Sequence, residues 1–331
     1  MKALVYTNPN ALEWRDEPEP VPGNDEVVVR VDAVGICGSD MHAYHGHDSR
    51  RPPPFVLGHE AAGSVVSGPN AGMRVAVNPL VPCGVCDFCL GGRVHLCPAR
   101  QLLSVPPRAG AFAELVRVPE RNLVAVPAHL EAAKAALTEP LAVAYHAVSL
   151  GARLLARPLS ASHCLVLGGG AIGLGSALVL KMQGAHDIHI GEPNAARRRT
   201  AERAGPFLCY APDEAGEPPR SSIDLIIDAV GSNATRAAAC RLARPGGVIV
   251  HVGLLPGSEG LDVRKITLQE IIVTGTYCYT PLDFRETFDA IADGRLGALD
   301  WIEERPMTDG PQAFRDLDAG VIAAAKIVLR P

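Results

Sequence analysis

The chain has 331 residues, of which 47% are hydrophobic and 20% charged, and its formal net charge is −5 at pH 7. This length predicts two domains, because single hydrophobic cores rarely grow past about 250–300 residues. The acidic balance argues against nucleic acid or an anionic membrane as a partner. The N-terminus MKALVYTNPN lacks an export signal, and no run of about 18 apolar residues predicts a membrane span, so we expect a cytoplasmic protein.

The first part of the chain, residues 1–130, predicts an all-β, loop-rich unit. Segments such as EVVVRVDAVGIC, AAGSVVSG and MRVAVNP read as short strands separated by Gly, Pro and Asn. The chain has nine cysteines, and five of them fall between Cys37 and Cys97. Without an export signal the thiols are expected to be reduced, which favours metal ligation over disulfides.

Three side chains in this unit are candidate metal ligands of mixed chemistry. GICGSDMHAYHG supplies Cys37, and LGHEAAG supplies His59 and Glu60. A thiolate, an imidazole and carboxylates leave room for a water or an alcohol oxygen on the metal. A cysteine and a histidine more than twenty residues apart prove little by themselves.

A second group of ligands lies in residues 83–97, CGVCDFCLGGRVHLC. Its spacing is C-x2-C-x2-C-x7-C, formed by Cys83, Cys86, Cys89 and Cys97. Two-residue loops let neighbouring thiolates point at one ion, and four sulfurs close a tetrahedron around zinc. An iron–sulfur cluster stays open on spacing alone, although the x7 gap does not fit the usual ferredoxin runs. Four protein ligands leave no open position, so we expect a structural site, with His95 an exposed loop residue.

From about residue 131 the pattern changes to helices and buried strands. EAAKAALTEPLAVAYHAVSLGA predicts a helix with a break or kink at Pro140, and it adds Glu139 to the mixed ligand set. Nearly apolar strands such as HCLVLGG, DIHIGE, DLIIDAV and GVIVHVG then alternate with helical stretches, which predicts a parallel sheet covered on both faces. The segment after about residue 285 predicts helices and a final strand, AKIVLRP.

The segment VLGGGAIGLG carries a dinucleotide signature directly after a predicted strand. Gly168 permits the tight turn, Gly170 lets the backbone approach a pyrophosphate, and Gly173 allows close helix–strand packing, with Ile172 in the same turn. Glu192 follows the next strand, 19 residues beyond Gly173, where an acid accepts hydrogen bonds from a ribose. The combination predicts a Rossmann dinucleotide site. A carboxylate there favours NAD over NADP, although Arg197, Arg198 and Arg199 leave phosphate binding open.

Together these motifs resemble the zinc-containing medium-chain dehydrogenases, and within them the sorbitol (polyol) dehydrogenase branch. GICGSDMH, GHEAAG, the four-cysteine segment, EPLAVAYHA, GGGAIGL and GGVIVHVG occur in the family's order over nearly the whole chain. The resemblance implies an α/β fold in three stretches: a GroES-like catalytic domain at residues 1–142, a Rossmann doubly wound parallel-sheet domain at 143–284, and a segment at 285–331 that completes the catalytic domain.

The resemblance also assigns roles to single residues. Cys37, His59 and Glu60 match the catalytic zinc ligands, and Glu139 matches a position that ligates the metal or holds its water. Ser39 and His42 match a proton relay. The positions that match cofactor-contacting segments are Arg197 near the adenosine, and Val252, Leu254 and Tyr277 near the nicotinamide.

The implied activity is NAD-dependent oxidation of a secondary alcohol or polyol, of the sorbitol or idonate kind. Two zinc ions per chain and a homodimer or homotetramer are expected with it. The sequence departs from the branch at two positions, where Cys278 replaces an arginine and Ala43 a tyrosine. Both family side chains help to bind a polyhydroxylated substrate, so a smaller or less hydroxylated substrate is expected, and Tyr44 or Tyr279 are candidates to compensate.

Three other interpretations stay open. A threonine or butanediol dehydrogenase would use the same scaffold. A zinc-stapled Rossmann protein with another adenosine cofactor, such as a methyltransferase, leaves the spacing of Cys37, Ser39 and His42 unexplained. A non-catalytic protein that binds a partner or nucleic acid through its thiols is disfavoured by the acidic charge and the 5% aromatic content.

Overall fold

The computed structural model describes residues 1–66, 68–212 and 215–331. The β-rich part of the chain has these strands: β1 Lys2–Asn8, β2 Ala11–Asp16, β3 Glu26–Gly35, β4 Phe55–Val56, β5 Glu60–Val65, β6 Arg74–Val77, β7 Leu80–Val81, β8 Gln101–Leu102, β9 Leu115–Pro119 and β10 Leu123–Ala125. Two short helices lie among them: α1 Gly38–Tyr44 and α2 Asp87–Leu90.

The rest of the chain alternates helices with strands. The helices are α3 Ala132–Ala136, α4 Thr138–Leu154, α5 Ala171–Met182, α6 Ala195–Ala204, α7 Asn233–Leu242, α8 Val263–Leu268, α9 Pro281–Ala292 and α10 Gly310–Asp318. The strands are β11 His163–Leu167, β12 Asp187–Gly191, β13 Leu208–Tyr210, β14 Ile223–Asp228, β15 Ala243–His251, β16 Ile272–Gly275, β17 Ile302–Pro306 and β18 Lys326–Arg330. Short 3₁₀ turns lie at Val94–Leu96, Glu120–Asn122, Leu159–Ala161 and Met307–Asp309.

The first large sheet joins the two ends of the chain. Its strand order is β10-β6-β5-β3-β18-β17, with β9 also paired to β3. The central strand β3 reads EVVVRVDAVG, and its β-branched side chains are buried on both faces of the sheet. β5 and β18 flank β3 in antiparallel register, so the last strand of the protein lies in the middle of its first domain.

The second sheet is parallel throughout, with the order β13-β12-β11-β14-β15-β16. The chain leaves β11 toward β12 on one side and later returns to β14 on the other. The carboxyl end of β11 is therefore the point where the strand order reverses, and ligands of open parallel sheets bind at such a point. The helical and strand segments predicted from the sequence are present here, with α8 added after β15.

The predicted break at Pro140 is displaced. The structure has two helices, α3 and α4, that meet at Leu137, and Pro140 lies in the first turn of α4. An amide N–H in the first turn has no partner within the helix, so a proline there costs no hydrogen bond. The break between the two helices therefore lies at Leu137, three residues before Pro140.

α4 connects the two sheets, because it contacts β5 on one side and β15 on the other. One continuous apolar core runs from Ala33 and Ala62 through α3 and α4 to Val166 and Leu225 of the parallel sheet. The two boundaries expected from the sequence lie inside α4 and α9. Among the described residues, no helix is both long and apolar enough to cross a membrane.

Candidate active site

The candidate metal ligands meet where three strands of the first sheet end together. Gly35, the last residue of β3, pairs with Glu60 at the start of β5, and Val328 of β18 pairs with Gly35 from the other side. Cys37 follows two residues after β3. As a result the ligand atoms of Cys37, His59 and Glu60 all lie within 4.8 Å of one another.

A buried carboxylate organises two of these ligands. Cys37 is the N-cap of α1, and its backbone N–H donates to Oδ2 of Asp40 at 3.0 Å. Oδ1 of the same carboxylate lies 3.6 Å from Nδ1 of His59. Asp40 is itself fully buried and accepts from Nη1 of Arg51 at 3.2 Å. This contact is longer than a hydrogen bond, and Nδ1 of His59 has no hydrogen-bond partner among the described residues, so Asp40 acts on the ring through its charge.

The electrostatics follow from this arrangement. Burial alone would lower the pKa of His59, but the charges of Asp40 and Cys37 outweigh it and raise the pKa well above its usual value. For Asp40 burial is again opposed, here by His59, Arg51 and the Cys37 N–H, which lower the pKa of the carboxyl. The pocket is therefore built around negative ligand atoms and favours a cation.

Glu60 is positioned by a lysine from the other end of the chain. Nζ of Lys326 donates to Oε1 of Glu60 at 2.6 Å and to the carbonyl oxygen of Ile36 at 2.8 Å. Oε2 of Glu60 is buried and has no hydrogen-bond partner among the described residues. It also lies where a Cβ on Gly35 would be, 2.0 Å from that point, so only glycine leaves room for this carboxylate.

Glu139 stands apart from the group of three. Its Oε1 accepts a hydrogen bond from the hydroxyl of Tyr279 at 3.0 Å, and both side chains are buried. Burial, opposed by His59 and assisted by the nearby Glu60 carboxylate, raises the pKa of Glu139 to about 7. Glu139 faces the centre from α4 without being one of the three converging ligands.

These residues fit a divalent zinc ion. The donor set is a thiol, an imidazole and a carboxylate with an unpaired buried oxygen, which are the donors that zinc takes in catalytic sites. Such sites have three protein ligands and a fourth position for water or substrate. The group therefore resembles an open metal site.

The four cysteines of the second group also converge. The Sγ atoms of Cys83 and Cys89 are 3.8 Å apart, and those of Cys86 and Cys89 are 3.5 Å apart. Zinc–sulfur bonds of about 2.3 Å on a tetrahedron place sulfurs about 3.8 Å apart. All four cysteines are free thiols, and backbone N–H groups of Val85 and Cys86 lower the pKa of Cys83 to about 6. We call residues 83–97 the zinc lobe.

The expectation for His95 was wrong, because this residue is buried, with 5% of its surface exposed. Its ring packs edge-on against His146 of α4 with the centroids 4.9 Å apart. Nδ1 of His146 in turn bonds Oδ2 of Asp283 at 2.8 Å. Asp283 also accepts from the N–H and hydroxyl of Thr280 at the start of α9. This chain of contacts joins the zinc lobe to the residue that follows Tyr279.

The glycine turn after β11 leaves a gap in which a ligand can lie. Gly168 has a φ of +99°, which a side chain rarely adopts, and a Cβ on Gly173 would lie 1.8 Å from the carbonyl oxygen of Gly168. A Cβ on Gly170 would meet nothing within 4 Å, so the fold itself does not require glycine there. Ile172 lies in the first turn of α5, whose N-terminus suits a phosphate.

Glu192 lies beside this turn, immediately after β12. Its Oε2 accepts from the N–H of Gly169 at 2.7 Å and its Oε1 from the N–H of Asn194 at 2.8 Å. Asn194 also caps α6 by accepting from the N–H of Arg197. Nε of Arg197 reaches the carbonyl oxygen of Ile322, which draws the charged group toward the C-terminal segment.

The remaining predicted residues lie on α1, after β15 and after β16. Ser39 and His42 lie on α1, three residues apart and therefore on one face of the helix. Val252 and Leu254 follow β15, and Leu254 is 67% exposed. Tyr277 lies between β16 and α9, with the guanidinium of Arg100 stacked over its ring at 4.8 Å.

Sequence reasoning missed Asp40, Lys326 and Arg100. A signal existed for two of them. Asp40 stands three residues after Cys37, at the N3 position where an acid completes a capping box. Lys326 opens the apolar strand AKIVLRP, and a lysine is rarely fully buried unless it is paired.

Comparison with known proteins identifies the family. Residues 23–128 match the alcohol dehydrogenase GroES-like domain, and residues 171–293 match the zinc-binding dehydrogenase domain. L-galactonate-5-dehydrogenase of Escherichia coli (strain K12) is 32% identical over 310 residues, which cover 90% of this chain and 89% of that protein. Sorbitol dehydrogenase of Bacillus subtilis (strain 168) is 33% identical over 296 residues, with 84% and 82% covered.

A solved structure agrees with these relatives. A protein from Sinorhizobium meliloti 1021 described as a zinc-binding dehydrogenase, with NADP bound, has a TM-score of 0.86 at 29% identity and covers 100% of this chain and 99% of its own. The predicted fold class, a GroES-like domain with a Rossmann domain, is thereby confirmed. The chain belongs to the zinc-type medium-chain dehydrogenases, in their polyol dehydrogenase-like branch, and is a zinc-dependent oxidoreductase that uses a nicotinamide cofactor.

Proposed function

We propose that this protein oxidises a secondary hydroxyl of a polyol or sugar acid to a ketone with NAD, at a zinc ion held by Cys37, His59 and Glu60. The observation that carries the proposal is the convergence of these three groups within 4.8 Å, with Oε2 of Glu60 buried and unpartnered. Names of relatives support the substrate class, since one is an L-galactonate dehydrogenase and another a sorbitol dehydrogenase.

When bound, zinc polarises a hydroxyl oxygen as a Lewis acid and the nicotinamide accepts a hydride. The protein orients both partners. The charge of Asp40 lies beside the ring of His59, and Lys326 leaves one oxygen of Glu60 free. Glu139, anchored by Tyr279, would accept a hydrogen bond from a water or a substrate hydroxyl beside the ion.

The hydroxyl proton leaves through α1. In the proposed relay Oγ of Ser39 would accept the proton at the site and the imidazole of His42 would deliver it to solvent. Burial, together with the neighbouring cations of His45 and Arg51, lowers the pKa of His42. The lowered pKa favours the neutral imidazole, which is the form that can accept a proton.

We propose a second, structural zinc at Cys83, Cys86, Cys89 and Cys97, which gives two zinc ions per chain. Sulfur separations of 3.5 and 3.8 Å support it. Four protein ligands leave no position for substrate, so this ion has no part in the chemistry.

The proposed cofactor is NAD. The carboxylate of Glu192 is buried beside the glycine turn and fixed by two backbone N–H groups, so it cannot swing away from an adenosine ribose. A 2′-phosphate at that ribose would meet this fixed negative charge. Because the Sinorhizobium neighbour carries NADP, the preference has to be measured directly.

We also propose that the chain forms a homodimer or homotetramer. β16 is the edge strand of the parallel sheet, and Ile272 and Val273 on it are exposed. Leu268 and Val263 of α8 extend the apolar surface. An unpaired apolar edge of this kind is a template for a second copy, and sedimentation of the purified protein as a monomer would contradict the proposal.

The test is a substrate panel with both cofactors. Hexitols, hexonates, diols and threonine are offered with NAD or NADP, and kcat/KM is measured for the wild type and for Cys37→Ser. We expect oxidation of hexitols or hexonates with NAD, and none by Cys37→Ser although it remains folded. Turnover of threonine or butanediol alone, or undiminished turnover by Cys37→Ser, would contradict the proposal.

A further inference from the structure

An arginine just after the zinc lobe carries a positive charge that no carboxylate of the described residues neutralises. Arg100 lies three residues after Cys97, and its Nη1 donates to the carbonyl oxygen of Cys97 at 2.9 Å. Its guanidinium stacks on the ring of Tyr277 at 4.8 Å from the centroid. Across residues 1–66, 68–212 and 215–331, no carboxylate forms an ion pair with it. The side chain is thus a pre-positioned, half-buried cation.

The ring that carries this cation is two residues before Tyr279, in the segment that approaches the proposed metal centre. Tyr277 and Tyr279 flank Cys278, and the hydroxyl of Tyr279 bonds Glu139. The pKa of the Cys278 thiol depends on groups from both sides. Burial raises this pKa to about 12, and Glu139 adds to the rise. The charges of His59 and Arg100 act in the opposite direction. Cys278 is therefore within electrostatic range of both Glu139 and the guanidinium of Arg100.

Two other cations near this segment are already neutralised. Arg50 forms a two-point pair with Asp48, at 2.9 and 2.8 Å, and Arg51 pairs with Asp40 and Asp48. By contrast, the guanidinium of Arg100 keeps its net charge. Within the described part of the chain, the segment 276–280 thus has beside it a positive charge without an ion-pair partner, on a planar group held by stacking on Tyr277.

Such a group recognises an anion. A guanidinium presents parallel N–H donors that match the two oxygens of a carboxylate, and its stacking reduces the freedom lost on binding. An uncharged hydroxyl would leave the charge without a counter-ion. One net positive charge matches a carboxylate monoanion better than a phosphate dianion.

We propose that Arg100 binds the carboxylate of the substrate, and that the substrate is therefore a sugar acid in preference to a neutral polyol. The inference rests on the proposed function, because it assigns the substrate class of the same site. Arg100 is a substrate-binding residue in this account and takes no part in hydride or proton transfer.

The test compares matched substrates that differ only in the end group. Galactonate and galactitol, idonate and iditol, and galactitol 1-phosphate are assayed with the wild type, Arg100→Met and Arg100→Lys. Arg93→Met is the control, because Arg93 stacks on Phe88 within the same lobe, 5.3 Å from the ring centroid, away from residues 276–280. Zinc content and thermal midpoint are recorded for each variant.

We expect the wild type to prefer hexonates. Arg100→Met should lower kcat/KM for the hexonate by about 10- to 100-fold, mainly through KM, as loss of a charged hydrogen-bonded contact does. The hexitol should change by less than about threefold, Arg100→Lys should be intermediate, and Arg93→Met should match the wild type.

Three results would overturn the inference: a wild type that prefers hexitols, one that prefers the hexitol phosphate, or an equal loss on acid and polyol in Arg100→Met. Each of these leaves the proposed dehydrogenase activity in place. A wild type that oxidises no member of the panel with either cofactor would instead refute the proposed function, and this inference with it.

Discussion

The two groups of metal-ligating residues in this chain are supported in opposite ways. In the zinc lobe four thiols come from fifteen consecutive residues on short turns, and Val85 and Leu90 beside them are 78% and 75% exposed. In the centre of Cys37, His59 and Glu60, the ligands lie at the ends of buried strands, with Asp40 beside Cys37 and His59 and with Lys326 bonded to Glu60. The lobe has almost no apolar core of its own, whereas the centre is embedded in one.

This difference explains why the zinc lobe offers four protein ligands and the centre only three. Where the chain cannot pack itself, four protein ligands let a metal replace the missing core, as in small zinc-stabilised domains. Where strands β3, β5 and β18 already fix the geometry, the proposed site needs only three protein ligands, and a fourth position would be free for substrate. The number of ligands follows from how much support the surrounding structure gives.

The largest effect is expected at Lys326, which supports the centre of Cys37, His59 and Glu60 and not the zinc lobe. Lys326→Met leaves Oε1 of Glu60 without its buried donor, so the carboxylate is no longer oriented. We expect zinc affinity at the centre to fall about 10- to 100-fold, measured by chelator competition against activity. Lys181→Met, on the exposed face of α5, is the control. Unchanged affinity would show that the carboxylate is oriented without Lys326.

The link between the lobe and the active site is tested at His146. His146→Phe keeps a ring against His95 but removes the donor to Asp283, which caps α9 beside Tyr279. We expect kcat/KM to fall about 10-fold, because small displacements of positioning residues slow the reaction. His163→Phe breaks an exposed histidine–aspartate pair on β11 and should not change turnover. Equal effects of His146→Phe and His163→Phe on kcat/KM would contradict a link between the lobe and the active site.

The smallest expected effect is on the pH profile. His42 accepts a proton only when neutral, so the rate is retained above its folded pKa and lost as the pH falls through it. Since burial and the cations around it lower the pKa of His42, this acid limb should lie below about pH 6.5. His47 also contributes to this lowering, so His47→Gln should move the limb upward by roughly a few tenths of a unit.

The control for this profile is His186→Gln, an exposed position just before β12 at the opposite end of the parallel sheet. It should leave the acid limb in place. A limb above pH 6.5, or one that His47→Gln does not move, would show that His42 is not the group whose protonation limits the reaction.

The architecture could be predicted because its signals are local. Apolar runs such as HCLVLGG and DLIIDAV, each followed by a helical stretch, indicate parallel strands wherever they occur. The glycine turn and the four-cysteine spacing are also short-range patterns. Pro140 was misplaced for the same reason, since a proline in a first helical turn and one at a break look alike without the preceding tertiary contacts.

The partners behind the ligands could not be predicted, because they depend on long-range pairing. Lys326 meets Glu60 across 266 positions only because β18 lies beside β3. His95 is buried because α4 packs against the zinc lobe, and the local sequence RVHLC does not indicate that contact. The guanidinium of Arg100 is positioned by the ring of Tyr277, which comes much later in the sequence. Local sequence indicates ligands, and the fold indicates what orients them.

The most direct test of the central claim is a count of zinc per chain, with turnover and thermal midpoint, in the wild type, His59→Ala and Cys97→Ser. The account predicts two zinc ions in the wild type and one in each variant. His59→Ala should lose turnover with its thermal midpoint almost unchanged, and Cys97→Ser should lose thermal stability. Undiminished turnover by His59→Ala, or a wild type with a single zinc that is lost without destabilisation, would contradict the account.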